Sequence, residues 1–126
     1  MNKTIIKTNN APAAIGPYSQ GVRIGNMVYT SGQIPLNPET KELVTEIKAA
    51  TRQSLTNVKG ILEEAGTSME NVIKTTVFVK DLNDFAAVNE VYATFFQGEP
   101  PARSCVEVAK LPLDAPVEIE VIAIVE

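Results

Sequence analysis

From Val117 to Val125 the chain alternates without a break. Val117, Ile119, Val121, Ala123 and Val125 fall on one side, and Glu118, Glu120, Ile122 and Ile124 on the other. Period-two alternation of this kind reads as a β-strand, because successive side chains on a pleated backbone point to opposite faces. One side is apolar throughout, and the other turns apolar at Ile122 and Ile124. Such a strand belongs inside a sheet that has cover on both faces. Whatever else the chain builds must supply that cover.

The rest of the chain supplies only half of it. All eight prolines (Pro12, Pro17, Pro35, Pro38, Pro100, Pro101, Pro112 and Pro116) fall between the segments that read as regular, as expected of a residue that fixes φ and lacks a donor. Thr4 to Thr8 reads as a short strand. Gly21 to Ile24 and Met27 to Ser31 flank Gly25-Asn26, a two-residue hairpin turn in which both residues tolerate positive φ. Ile47, Leu55, Val58, Ile61, Leu62 and Ala65 recur mostly at helical spacing before Gly66, so an amphipathic helix is expected from about 47 to 65. Val72 to Lys80 reads as a strand with Ile73, Thr75, Val77 and Val79 on one face. Asn83 or Asp84 is placed to cap a second helix, whose stripe is Phe85, Val88, Tyr92, Phe95 and Phe96. Ala102 to Ala109 and Val117 to Val125 complete the set, joined by the loop Lys110 to Pro116. The order β-ββ-α-β-α-ββ predicts an α+β domain, a six-stranded mixed sheet with two helices on one face. The other face then stays bare. Association of identical copies is the simplest cover, since every copy carries the same surface. The alternative is that Ile122 and Ile124 pack under the N-terminal loop.

At 126 residues the chain fits one domain, 1–126, without disulfides or a structural metal. No apolar run approaches the roughly 18 residues of a membrane span, and Met1 to Thr4 leads into strand-like sequence without a signal-peptide h-region. A cytoplasmic protein with no membrane partner is expected. Histidine is absent, which excludes Ser-His, Cys-His and His-metal chemistry. Cys105 is the single cysteine, so no internal disulfide or multi-cysteine metal site can form. The net charge is −4 and the basic residues are scattered, so no nucleic-acid partner is expected. Asp81 to Asp84 lacks the glycine and distal glutamate of a calcium loop. No metal is expected.

What remains for chemistry is Arg, Asp/Glu, Tyr, Ser, Asn, one thiol and the backbone. Alternation sets Arg103, Cys105 and Glu107 on one face of their strand, and Glu118 and Glu120 on one face of the next. A guanidinium there could fork a carboxylate, and a glutamate could hold a water. Equally, these residues could form a solvated face on which Arg103 pairs with Glu118 or Glu120, for a few tenths of a kcal/mol. In a simple hairpin Arg103 would lie nearer Val121 or Ile122 than Glu118. Cys105 reads as a buried thiol or backbone donor, since nearby glutamates would raise its pKa. Tyr18, after Gly16-Pro17, is either a loop anchor or a hydroxyl that closes over a ligand. Ser31 and Gly32 end a strand where backbone N–H groups could face a ligand, and Asn89 stands beside the stripe of the second helix.

Gly16-Pro17-Tyr18, Thr30-Ser31-Gly32-Gln33-Ile34-Pro35, Lys74 to Leu82, Pro101 to Val108 and the closing Glu118-Ile119-Glu120 together resemble the signature segments of the RidA (YjgF) family. The resemblance runs end to end, with no departure at the motif positions and a short loop at 97–99. It implies a chorismate-mutase-like fold and a homotrimer whose sheets form a central barrel with clefts between subunits. It also implies cofactor-free hydrolysis of enamine and imine intermediates (2-aminoacrylate/2-iminopropanoate and 2-aminocrotonate/2-iminobutanoate) to 2-oxo acids and ammonia. By the same resemblance Arg103 forks the substrate carboxylate, Cys105 adds its backbone N–H, and Glu118 orients and deprotonates the water. Tyr18, Ser31, Gly32 and Asn89 line the cleft. A module that binds small carboxylic acids without catalysis is the alternative. A ribonuclease or translation inhibitor fits the acidic composition less well.

Overall fold

The computed structural model describes residues 2–126, so Met1, part of the approach to the first strand above, lies outside the described residues. The strands are β1 Lys3–Ile6, β2 Gly21–Ile24, β3 Met27–Thr30, β4 Val72–Val79, β5 Ala102–Glu107 and β6 Val117–Ile124. The helices are α1 Ile47–Glu64 and α2 Phe85–Phe95. The strands form one mixed sheet in the order β1-β2-β3-β6-β4-β5, with β4 and β5 parallel and every other neighbouring pair antiparallel. The expected α+β architecture is the one observed. The alternating strand β6 is interior, and its Val117, Ile119, Val121 and Ala123 are buried.

The helices cover one face. Leu55, Val58, Ile61 and Leu62 of α1 and Val88 and Tyr92 of α2 join Val28, Val72, Val77 and Val79 of the sheet in the core. The N-cap of α1 is Glu46, whose carboxylate accepts from the backbone N–H of Lys48 and Ala49. On α2 the buried residues are Val88, Val91 and Tyr92, while Phe85 is exposed and Phe95 and Phe96 are half-buried, so the expected stripe is rotated toward Val91. Neither Asn83 nor Asp84 caps this helix by a side-chain bond. Asp81 does the capping one turn earlier, accepting from Asn83 N–H at the start of a 3-10 turn that runs into α2.

The Gly25-Asn26 hairpin turn is observed, with positive φ at Gly25 alone (58°), the requirement of a II′ turn rather than I′. One further expectation needs correcting. In β4 the register slips between Val72 and Lys74, and this bulge turns Ile73 to solvent and buries Val72 instead.

The opposite face of the sheet is bare. Ile5, Val22, Ile24, Met27, Tyr29, Ile122, Ile124, Phe78 and Val106 share it by register, and Ile5 and Tyr29 are 52% and 45% exposed. The N-terminal loop does not cover Ile122 or Ile124. It crosses the other side of the molecule, where Asn10 packs against Gly60 of α1. No helix among the described residues is long and apolar enough to cross a membrane.

Candidate functional site

The largest correction concerns β5 and β6. They are not hairpin partners, because β4 lies between them: Thr75 pairs both Arg103 and Val121, and Phe78 pairs both Val106 and Glu118. Glu118 is three residues from Val121 along β6, so alternation puts it on the face opposite Arg103. No Arg103–Glu118 or Arg103–Glu120 ion pair forms, and the predicted residues fall into two groups on the two sides of one sheet.

The first group gathers under α2. Arg103 extends from the edge strand toward the helix, where its Nη1 donates to Asn89 Oδ1 at 2.6 Å. The guanidinium carbon lies 4.8 Å from the centre of the Tyr92 ring and 5.3 Å from that of Phe85. Phe85, Asn89 and Tyr92 are spaced four and three apart, so one helix face presents all three. No carboxylate lies within ion-pair distance of Arg103 among the described residues. A half-buried cation, held against rings and one amide oxygen, therefore keeps donors free for an anion from elsewhere.

Cys105 lies one pleat away on the same face, with its thiol half-buried against the core. Burial pushes the thiol pKa up and Arg103 opposes that rise; the glutamates held responsible above are not the cause. The backbone is the more available group. Val108 N–H donates to Val79 C=O at 3.0 Å. In a parallel ladder alternate residues bond to the neighbour, so Ser104 and Val106 face β4. Arg103, Cys105 and Glu107 therefore turn N–H and C=O to the open edge. Glu107 folds back, its carboxylate accepting from Leu82 N–H.

The second group surrounds Glu118 on the bare face. The β3–β6 ladder pairs Tyr29 with Ile122 but resumes as a bridge between Gln33 and Ile119, one residue out of step. This bulge carries Ser31 and Gly32, and Thr30 Oγ1 fills the gap by accepting from Val121 N–H at 3.1 Å. Glu118 lies across Gly32 so closely that a Cβ there would meet Oε2 at 2.5 Å. Only glycine leaves room for that carboxylate. The Glu118 side chain is half-buried, and burial first, then the Glu120 charge, raises its pKa above the usual glutamate range.

Of the three N–H groups at Ser31-Gly32-Gln33, Ser31 donates to Gln20 C=O and Gln33 to Ile119 C=O. Gly32 N–H takes no partner among the described residues. Ser31 Oγ donates to Ser19 C=O at 2.5 Å, so this hydroxyl ties the loop that carries Tyr18. The Tyr18 ring is 52% exposed, and its hydroxyl accepts only a long bond, 3.4 Å, from Ile15 N–H. Behind them the buried Gln20 holds residues 8–12: its Oε1 accepts from Thr8 N–H, and its Nε2 donates to the carbonyls of Thr8, Ala11 and Pro12. Asn57 of α1 donates to the carbonyls of Ile34 and Leu36 and so fixes the other end of the bulge.

Sequence reasoning missed Phe85 and Tyr92 as partners of Arg103, because their spacing reads equally well as core stripe. It also missed Gln20 and Thr75, which no local pattern marks. Among the described residues no group of three His, Cys, Asp or Glu side chains could hold a metal ion.

Comparison with known proteins brings these groups together with proteins of known name. A family model described as Endoribonuclease L-PSP matches residues 8–125. The 2-iminobutanoate/2-iminopropanoate deaminase of Escherichia coli K12 is 61% identical over 127 residues, covering 98% of each chain. A RutC family protein of Pasteurella multocida is 62% identical over 124 residues, covering 95% of this chain and 96% of its own. The crystal structure of Escherichia coli TdcF with bound serine superimposes with a TM-score of 0.94 at 53% identity, covering 98% of this chain and 99% of that one.

Proposed function

Since the chain belongs to the RidA (YjgF) family, matched along residues 8–125 by the Endoribonuclease L-PSP model, we propose that it hydrolyses short 2-imino acids and their enamine tautomers to 2-oxo acids and ammonia. The reading includes a homotrimer with its active site between subunits, working in the cytoplasm without a cofactor. The observation that carries it is Arg103: a half-buried guanidinium, steadied by Asn89 and two rings, with no carboxylate among the described residues within ion-pair distance to neutralise it. A relative named 2-iminobutanoate/2-iminopropanoate deaminase, which supports this reading, is 61% identical.

The chemistry asks little of the protein. An imine carbon next to a carboxylate is already electrophilic, so no side-chain nucleophile is needed. Arg103 forks the carboxylate, and the N–H of Cys105, at the open edge of β5, adds a donor. Glu118 accepts a proton from water as its oxygen bonds to C2 and hands that proton to nitrogen, which receives the C=N electron pair, giving a neutral carbinolamine. The carbinolamine then collapses: Glu118 takes the hydroxyl proton as that oxygen forms C=O and gives it to nitrogen as the C–N bond breaks, so ammonia leaves and the carboxylate is restored. The N–H of Gly32 is free to hold the developing oxygen or the nitrogen, and Tyr18 closes the cleft.

Arg103 and Glu118 stand on opposite faces of one sheet, so a single copy does not bring them to one small substrate. In the proposed trimer the bare face of one copy, with Glu118, Gly32, Ser31 and Tyr18, meets the Arg103 edge of the next. Covering Ile122, Tyr29 and their neighbours supplies the driving force. A ribonuclease reading gains nothing from these groups: the net charge is −4 and no histidine is present to cleave RNA.

The test is to add the protein to a threonine dehydratase reaction and time the release of 2-oxobutanoate. Faster release is the expected result. Saturable binding of 2-oxobutanoate without acceleration would replace the hydrolase with a binding module.

A further inference from the structure

The hydrolysis gives no task to the Thr75–Tyr92 pair. Tyr92 is buried, and its hydroxyl lies 2.7 Å from Thr75 Oγ1, itself fully buried on β4. Thr75 is the residue that pairs Arg103 in the parallel ladder. One strand position thus sets the backbone beneath Arg103 and also anchors the ring against its guanidinium. Together with the bond to Asn89 and the Phe85 ring, this gives the flat cation three contacts, enough to define a plane. A carboxylate gripped by two parallel N–H donors has to share that plane.

We propose that Tyr92, locked by Thr75, is a positioning residue that fixes the guanidinium plane of Arg103 and thereby the orientation of the bound carboxylate. The inference rests on the reading of Arg103 as the carboxylate fork. A tyrosine kept only to fill the core would have its hydroxyl satisfied by Thr75 without affecting the fork. The two roles separate in a double-mutant cycle.

The experiment titrates the full-length protein with 2-oxobutanoate, which carries the carboxylate but no C=N bond to hydrolyse. Tyr92→Leu should weaken binding by about tenfold, the scale of a partly desolvated cation–π contact. Tyr92→Phe, which keeps the ring but gives up the bond to Thr75, should weaken binding by only about two- to threefold. Thr75→Val, which keeps the volume but frees the hydroxyl, should fall between them. In an Arg103→Lys background, where no plane is left to set, Tyr92→Leu should add nothing. The Arg103 Nε–H resonance should carry a ring-current shift that survives in Tyr92→Phe and shrinks to the Phe85 contribution in Tyr92→Leu. Wild-type affinity in folded Tyr92→Leu, or an equal loss in the Arg103→Lys background, overturns the proposal. If Tyr92→Leu does not fold, Thr75→Val decides alone: unchanged affinity and an unchanged Nε–H resonance overturn it. A parent that binds 2-oxobutanoate without hastening its release would sink the hydrolase and leave this inference standing. A parent that hydrolyses imines while Tyr92→Leu keeps full affinity does the reverse.

Discussion

Glu118 illustrates how one side chain can be costly to the fold while serving the proposed chemistry. Its carboxyl holds its proton more tightly in the folded chain than in the unfolded one, because burial and then Glu120 disfavour the charge. Stability from this group is therefore lost as pH rises from the usual glutamate range through the raised pKa. Glu118→Gln should melt slightly higher at neutral pH, by less than about 1 kcal/mol because half the side chain keeps its solvent, while imine hydrolysis falls by about a hundredfold or more. Calorimetry and the dehydratase-coupled assay read the two effects. As the proposed base, Glu118 works only when ionised, so kcat should decline as pH falls through that raised value. Glu120→Gln should move the acid limb to lower pH, and an unmoved limb would assign it to another group. Gly32→Ala tests the same carboxylate sterically. With a Cβ meeting Oε2 at 2.5 Å, Glu118 must swing away, and kcat should drop by about ten- to a hundredfold with the fold intact. Neither the closeness of Gly32 nor the raised pKa could be read from Ser31-Gly32-Gln33, since both depend on a bulge against a strand that lies far away in sequence.

Local elements were far more legible than the order in which they pack. Proline punctuation, β-branched runs and helical spacing located every strand and both helices, because each signal is local. They could not place β4 between β5 and β6. Parallel pairing of β4 with β5 follows a crossover through α2, and no residue near either strand records its neighbour. The parity of Arg103 and Cys105 on β5 was readable, whereas what Arg103 faces was not. The same long-range dependence governs the loops that frame the bulge. Gln20→Leu removes four hydrogen bonds that hold residues 8–12 and leaves their backbone groups unmatched. The expected loss is about 2–3 kcal/mol, seen as a lower urea midpoint with an unchanged m-value. Glu46→Ala, by contrast, removes a local cap from α1 and should cost only about 0.5–1 kcal/mol in the same titration.

The proposed assembly can be tested in solution. If neighbouring copies supply Arg103 and Glu118 to one cleft, Arg103→Ala and Glu118→Ala proteins are each inactive. Unfolding and refolding them together in equal amounts should restore roughly a quarter of the parent activity, since each required residue is intact in half the chains. No recovery in mixed oligomers would mean that one copy supplies both. Charging the bare face, as in Ile122→Asp, should give a folded but dissociated chain that neither binds 2-oxobutanoate nor hydrolyses imines. Sedimentation and circular dichroism separate that outcome from misfolding.

The placement of Arg103 and Glu118 back to back on one sheet has a consequence for the living cell. If the two residues meet only across copies, as proposed, a chain fresh from the ribosome is inert however well it has folded, and acquires its chemistry only on meeting its siblings. Activity per chain should then depend steeply on abundance, falling away below the level at which copies find one another.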